Sequence, residues 1–350
     1  MKTDIRAFTF DKLNSELSSL GLPAFRTKQI FKWLHQYGCS SFDEMTNISK
    51  ALRAQLEERF YIGSCCVEDK YVSSIDGTVK YLFRLHDGEY IESVIMKYKY
   101  GYTICVSSQV GCKMGCTFCA SAIAGFKRNL TAGEIEAQLI AAQKDLNIKI
   151  SHIVLMGIGE PLDNFDNLID FLNNVNNPDG LNISMRNITV STCGIVPNIY
   201  RLIDYNLQLT LTVSLHAPND NIRSRTMPVS RKYSIDELLS ACKVYAEKTG
   251  RRVSFEYTLI KGVNDSAENA KELSLRLKGM LCHVNLIPVN DVKESGNISC
   301  SREEILKFQN ILKRNGINAT IRRTLGADIN ASCGQLRRLK KRGEIDENCC

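Results

Sequence analysis

Residues 102–120 read YTICVSSQVGCKMGCTFCA. The first seven form an apolar, β-branched run of the kind that makes a buried strand. The loop that follows, framed by Gly111 and Gly115, sets Cys112, Cys116 and Cys119 at C-x3-C-x2-C spacing. A strand that empties into a thiol-rich loop suggests a site at the carboxyl end of a sheet. Whether other strands end the same way decides the fold.

Downstream they do. Runs at 152–157, 187–192, 208–215, 252–260, 282–288 and 317–323 read as further strands. Amphipathic helical stretches separate them. Three of these helices open with a capping box, in which a hydroxyl and a glutamate three residues later satisfy each other's backbone N–H groups: Thr131…Glu134, Ser234…Glu237 and Ser301…Glu304. Repeated βα units imply parallel strands with helices outside. Six or seven units suit an open barrel better than a closed eightfold one. The expected fold is α/β, a partial (β/α)6 barrel. The unusual residues then gather at its strand ends: the three cysteines, GIGEP (157–161), STCG (191–194), SLHAP (214–218) and PVN (288–290).

Upstream, FDKLNSELSSLG (10–21), RTKQIFKWLHQYG (26–38) and NISKALRAQLEERF (47–60) read as helices, the first two closed by glycine. TVKYLFRL and EYIESVIMKYKYGY alternate as a hairpin would. This divides the chain into a helical accessory domain at 1–62, a β-rich bridge at 63–101, the barrel at 102–330 and a terminal segment at 331–350.

Hydrophobic residues make up 44% of the 350, enough for one large core, or one core and a small appendage. Lys and Arg number 45 against 38 Asp and Glu, a net +7, which is compatible with a polyanionic partner without requiring one. The opening MKTDIRAFTF carries charges where a signal peptide is apolar, and no run reaches membrane-spanning length. A cytoplasmic chain with no membrane partner is expected. There, fourteen cysteines point to metal or catalysis rather than a disulfide framework. Cys39, Cys65, Cys66, Cys242, Cys282 and Cys300 read as reduced core residues.

Three thiolates can hold three irons of a cubane cluster and leave the fourth iron open to a small molecule. The alternative is a zinc knuckle completed by a distant His or Cys. It is disfavoured by the unequal gaps and the lack of a second cysteine pair nearby. C-x3-C-x2-C after a first barrel strand resembles the radical S-adenosylmethionine (SAM) superfamily. CVSSQVGCKMGCTFCA, GFKRNLT, MGIGEPL, STCGIVP, SLHAPND, GVND and DINASCGQL, in that order over about residues 20–338, are together similar to the RlmN family.

The resemblance implies a radical SAM methyltransferase acting on C2 of an adenosine in 23S rRNA (position 2503) and in tRNA (position 37). Its cofactors would be one [4Fe-4S] cluster, bound by Cys112, Cys116 and Cys119 with SAM on the open iron, and SAM itself. Carbon 2 of adenine is electron-poor, so a radical route replaces simple attack on the SAM methyl. By resemblance, Cys333 carries the methyl as S-methylcysteine and Cys105 resolves the protein–RNA crosslink through a transient disulfide. Glu92 accepts the proton leaving C2. Gly159, Glu160, Ser191, Ser214, Leu215, His216 and Asn290 match SAM-binding positions, and Met156 is a further candidate for lining the site. The family also implies a reductant such as flavodoxin or ferredoxin, and a monomer. The alternative is the related Cfr type, which methylates C8 of the same adenosine and confers antibiotic resistance. GIGEPL argues against it, because Cfr-like sequences usually replace the proline. Candidates for phosphate contact are Arg26, Lys28, Lys127, Arg128 and the tail LRRLKKR (336–342). Trp33 reads as core, and Cys349 and Cys350 match no motif.

Overall fold

The structure, a computed structural model, describes residues 2–123, 125–288 and 298–329. Asn290, Cys333, the 336–342 tail and the last two cysteines lie outside them.

Ten strands form one sheet: β1 (Cys65–Val72), β2 (Val79–Leu85), β3 (Tyr90–Tyr98), β4 (Gly101–Cys105), β5 (Ile150–Leu155), β6 (Ile188–Thr192), β7 (Thr210–Ser214), β8 (Val253–Leu259), β9 (Cys282–Pro288) and β10 (Ala319–Ile321). Their order in space is their order in the chain. From β4 to β10 every pairing is parallel, and from β1 to β4 every pairing is antiparallel. The sheet ends at β10 and β1, so the barrel is open. Six helices cross between the parallel strands: α4 (Ala132–Leu146), α5 (Phe165–Asn176), α6 (Val196–Asp204), α7 (Ile235–Thr249), α8 (Ala267–Leu277) and α9 (Arg302–Arg314). The partial (β/α)6 barrel is therefore present, with a seventh parallel strand at its open edge.

All three expected capping boxes form. A fourth, Ser266 with Asn269, opens α8. Apolar side chains such as Ile153, Val190, Leu211, Phe255 and Val284 fill one continuous core between the sheet and the helices.

The structure corrects the sequence reading in three places. The β-rich stretch is a three-stranded meander, because Cys65–Val72 pairs with β2, and it continues the barrel sheet rather than standing apart. Cys66 lies on that outermost strand and is exposed, not core, while Cys65 is half-buried. The last strand spans three residues instead of seven, Ala319–Ile321.

The amino-terminal helices α1 (Phe10–Ser19), α2 (Ala24–Phe31) and α3 (Lys50–Arg59) surround a second, separate core that includes Leu13, Phe31, Leu34 and Leu56. After α2 the chain continues as a π-helical turn, Lys32–Gln36. Trp33 packs against this core, half-buried, and its indole donates to Asn47 at 2.6 Å. Polar groups seat the unit on α4 and α5. His35 Nδ1 meets Glu136 Oε2 at 2.7 Å with both side chains fully buried, and Lys12 pairs with Asp170 at 2.5 Å. The buried Arg6 guanidinium donates to the carbonyls of Cys39 and Gly63.

Candidate active site

The carboxyl ends of the parallel strands open into a cavity of about 490 Å³. Cys112, Cys116 and Cys119 line it from the loop after β4, and Gly159 and Glu160 from the loop after β5. Ser191 at the end of β6, and Ser214 and His216 at and beyond the end of β7, face them. Met156 and Cys105 also line the wall. Nine residues assigned from sequence to cluster, SAM and thiol chemistry thus share one space. Leu215 is buried beside it and contributes backbone, its carbonyl accepting from Arg223 Nε at 3.1 Å.

Backbone requirements explain the motif around Glu160. Gly159 has φ +111°, and a Cβ there would stand 2.6 Å from Gln109 Cβ, so only glycine fits. Gln109 stitches the two loops together. Its Oε1 accepts from Glu160 N–H at 2.8 Å, and its Nε2 donates to Asp163 and Asn129, both at 2.8 Å. Gln109–Val110 pairs antiparallel with Arg128–Asn129 and clamps the base of the cysteine loop. The Glu160 carboxylate accepts from Cys193 N–H at 2.7 Å and from Leu162 N–H at 3.0 Å. Burial pushes this carboxyl up, and the Cys193 N–H works against that.

His216 adopts left-handed φ +56° without being glycine, a strained conformation typical of functional positions. Its Nδ1 accepts from Thr258 N–H at 2.9 Å, which leaves the ring proton on Nε2. Burial, with the Arg223 charge adding to it, holds the imidazole down to about 3, so it is neutral. Phe118, from the cysteine loop, packs edge-on against its ring at 4.8 Å.

The site fits an iron–sulfur cluster. Burial, reinforced by the neighbouring thiols, pushes Cys112 and Cys116 up to about 12. Such thiols ionise only when a strong cationic centre such as iron replaces the proton. Arg223, fully buried, bridges the carbonyls of Leu215, Cys193 and Ser214, and its Nη1 has no hydrogen-bond partner there. A buried cation with a spare donor suits an anionic thiolate-ligated group. The sequence offered no sign of it, since Arg223 in NDNIRSRT looks like any solvated arginine. Cys193, inside a motif noted for its serine, also lines the wall. So do Glu256, Arg322 and Arg323; Arg322 Nη1 approaches Glu256 Oε1 at 3.3 Å.

Glu92 stands apart from the lining. It is 3% exposed and its Oε2 lies 3.0 Å from Nζ of the fully buried Lys80. It occupies the same face of β3 as the lining residues Val94 and Met96, because alternate strand residues share a face. Its carbonyl accepts from Ser107 Oγ at 2.7 Å, which ties β3 to the strand that leads into the cysteine loop. No two of the described cysteines are joined by a disulfide, and the expected Cys105–Cys333 pairing lies outside the described residues through Cys333. Of the basic candidates, Lys28 pairs with Asp179, Lys127 with Glu89, and Arg128 with both Asp87 and Glu134. These side chains are occupied by structural ion pairs. Arg26 lies over the Phe25 ring and donates to Gln29.

An open parallel barrel with three thiols after its first parallel strand, facing a glycine–glutamate strand end, defines a radical SAM enzyme. Residues 106–273 match the sequence family described as the Radical SAM superfamily, and residues 3–62 match the ribosomal RNA large subunit methyltransferase N-terminal domain. A probable dual-specificity RNA methyltransferase RlmN of Alkaliphilus oremlandii is 56% identical over 96% of this chain and 98% of its own length. One from Clostridium perfringens is 55% identical over 97% and 99%. The crystal structure of a radical SAM methyltransferase from Sphaerobacter thermophilus superposes with a TM-score of 0.90 at 44% identity, covering 95% of this chain and 98% of that one. The chain belongs to the RlmN family of dual-specificity radical SAM RNA methyltransferases. Its cofactors are a [4Fe-4S] cluster and SAM, and the Cfr alternative is not favoured. Among the described residues no helix is long and apolar enough to cross a membrane.

Proposed function

We propose that this enzyme methylates C2 of an adenosine in 23S rRNA and in tRNA, with Cys333 carrying the methyl group. The observation that carries the reading is the convergence of the three cluster thiols, the SAM-contact positions and Cys105 on one cavity. The cluster and SAM, when bound, supply one-electron reduction and a hydrogen-abstracting radical.

The chain's own residues do the rest. Cys112, Cys116 and Cys119 hold the cluster. Glu160 receives the ammonium of SAM, and Gly159 allows close backbone approach. Ser191, Ser214, His216 and, beyond the described residues, Asn290 orient the remainder of SAM. Once a hydrogen atom has been removed from the methyl of Cys333, its carbon would bond to C2 of the base, the adduct would give up one electron to the oxidised cluster, and a crosslink would form. Glu92 takes the C2 proton. The thiolate of Cys105 then attacks the sulfur of Cys333. An S–S bond forms as the S–C bond breaks, the electron pair of that bond stays with the carbon, and the carbon takes up a proton to become the methyl on the base. A cellular reductant such as flavodoxin or ferredoxin supplies the cluster's electrons, and a thiol reductant giving two electrons and two protons returns the disulfide to thiols. Residues 1–62 serve as the RNA-binding accessory domain of a cytoplasmic monomer.

The test is nucleoside mass spectrometry on 23S rRNA fragments and tRNA incubated with reconstituted enzyme, SAM and reductant. 2-Methyladenosine from both RNAs is expected. 8-Methyladenosine would mean Cfr-type chemistry. SAM cleavage without any methylated adenosine would overturn the assignment.

A further inference from the structure

The open barrel leaves its two edge strands, β10 and β1, unjoined, yet the chain beyond β10 crosses to the far edge. Asp328 accepts three hydrogen bonds from the turn between β1 and β2: Ser73 Oγ at 2.7 Å, Ser74 N–H at 2.9 Å and Ser74 Oγ at 3.1 Å. In return Asp76, on that turn, accepts from Gly326 N–H at 2.9 Å. Asp76 also accepts from Thr78 N–H at 3.0 Å, which fixes the shape of the turn. Each side of the clasp therefore contributes one carboxylate, and some 250 residues of chain separate the two sides. Ser73, Thr78 and Gly326 are buried in it. Between β10 and the clasp, Arg322, Arg323, Thr324 and Leu325 line the cavity.

We propose that this clasp is a positioning device for methyl transfer, with Asp328 the positioning residue. It draws the chain after β10 across the open side of the barrel. This completes the cavity wall and starts the segment bearing Cys333 from a fixed point. The inference rests on the reading of Cys333 as methyl carrier and Cys105 as its resolving thiol. Cys333 is five residues from Asp328, a reach of about 17 Å at most, but twelve residues from the end of β10, a reach of about 40 Å. Loop-closure entropy scales as three-halves of the logarithm of tether length. Without the clasp, the last fixed point before Cys333 retreats from five residues to twelve, and closure over that longer separation is about fourfold less favourable.

The experiment uses the full chain with Cys112→Ser, Cys116→Ser and Cys119→Ser, so that cluster thiols do not compete. Formation of the Cys105–Cys333 disulfide under diamide is followed by peptide mass spectrometry. The rate should fall about fourfold with Asp328→Ala, and likewise with Ser73→Ala plus Ser74→Ala from the opposite side. The fully buried Cys242 should stay protected from alkylation, reporting an intact fold. In the reconstituted holoenzyme carrying Asp328→Ala, 5′-deoxyadenosine formed per 2-methyladenosine should rise by a similar factor, whereas simple destabilisation would lower both products together. Equal disulfide rates with and without the clasp would overturn the proposal. No disulfide in the chain with an intact clasp would instead overturn the Cys105–Cys333 reading beneath it.

Discussion

His216 concentrates several constraints in one residue. It lines the cavity, holds a left-handed backbone, and is kept neutral by burial with its Nδ1 fixed by Thr258 N–H. Its ordinary value is 6.5 and its folded value is about 3. Between these the unfolded chain binds a proton that the folded chain does not, so the group's stabilising effect is full above about pH 6.5 and is lost as pH falls towards 3. His216→Asn tolerates the same backbone and removes the titration. The stability difference between the two chains, from denaturant midpoints, should therefore change across that acidic window and be constant above it. A difference independent of pH would show that the imidazole titrates normally. Gly159 is a steric constraint of another kind. Gly159→Ala forces a methyl into Gln109 and the backbone out of its positive φ. SAM binding, measured by equilibrium dialysis, should weaken about tenfold or more.

Within the elements, the antiparallel strands carry the least expected feature, the buried Lys80–Glu92 pair between β2 and β3. Removing one partner of a buried pair deprives the other of the opposite charge it faces. Lys80→Met should therefore cost about 3–5 kcal/mol in chemical denaturation, and the double variant Lys80→Met with Glu92→Leu should recover most of it. If the single and double variants are equally unstable, the pair is held by packing and not by charge. The parallel strands depend on local signals instead. Thr131→Ala removes a hydroxyl that caps α4 and also donates to Asp4 at 3.0 Å. It should cost about 1–2 kcal/mol in the same assay.

Among the described residues there are two hydrophobic cores, joined in part by polar contacts. The joint includes the fully buried His35–Glu136 contact, the Arg6 guanidinium, and Asn174 donating to the carbonyls of Arg6 and Phe8. Glu136→Leu removes the acceptor from a buried imidazole, so the amino-terminal unit should melt separately from the barrel. Differential scanning calorimetry would then resolve two transitions; a single unchanged one would mean that apolar contacts alone hold the unit in place.

The sequence by itself determined the strand–helix alternation, the capping boxes and the place of the cysteine loop, GIGEP, STCG and SLHAP at the carboxyl ends of strands. These are local properties, set by side-chain periodicity and by hydrogen bonds between residues three apart. It also marked the cluster cysteines, because thiol spacing is a property of the chain. Only the tertiary structure decided that the meander joins the barrel sheet, since strand pairing depends on edges that meet across the fold. The same holds for the buried roles of Arg223, Gln109 and Lys80. A charged or amide side chain carries no local sign of burial, and each is stabilised only by carbonyls, N–H groups or carboxylates brought from elsewhere in the chain. Lys127 and Arg128 also acquire partners that only the fold supplies: Glu89 for Lys127, dozens of residues away, and for Arg128 the distant Asp87 beside the nearby Glu134.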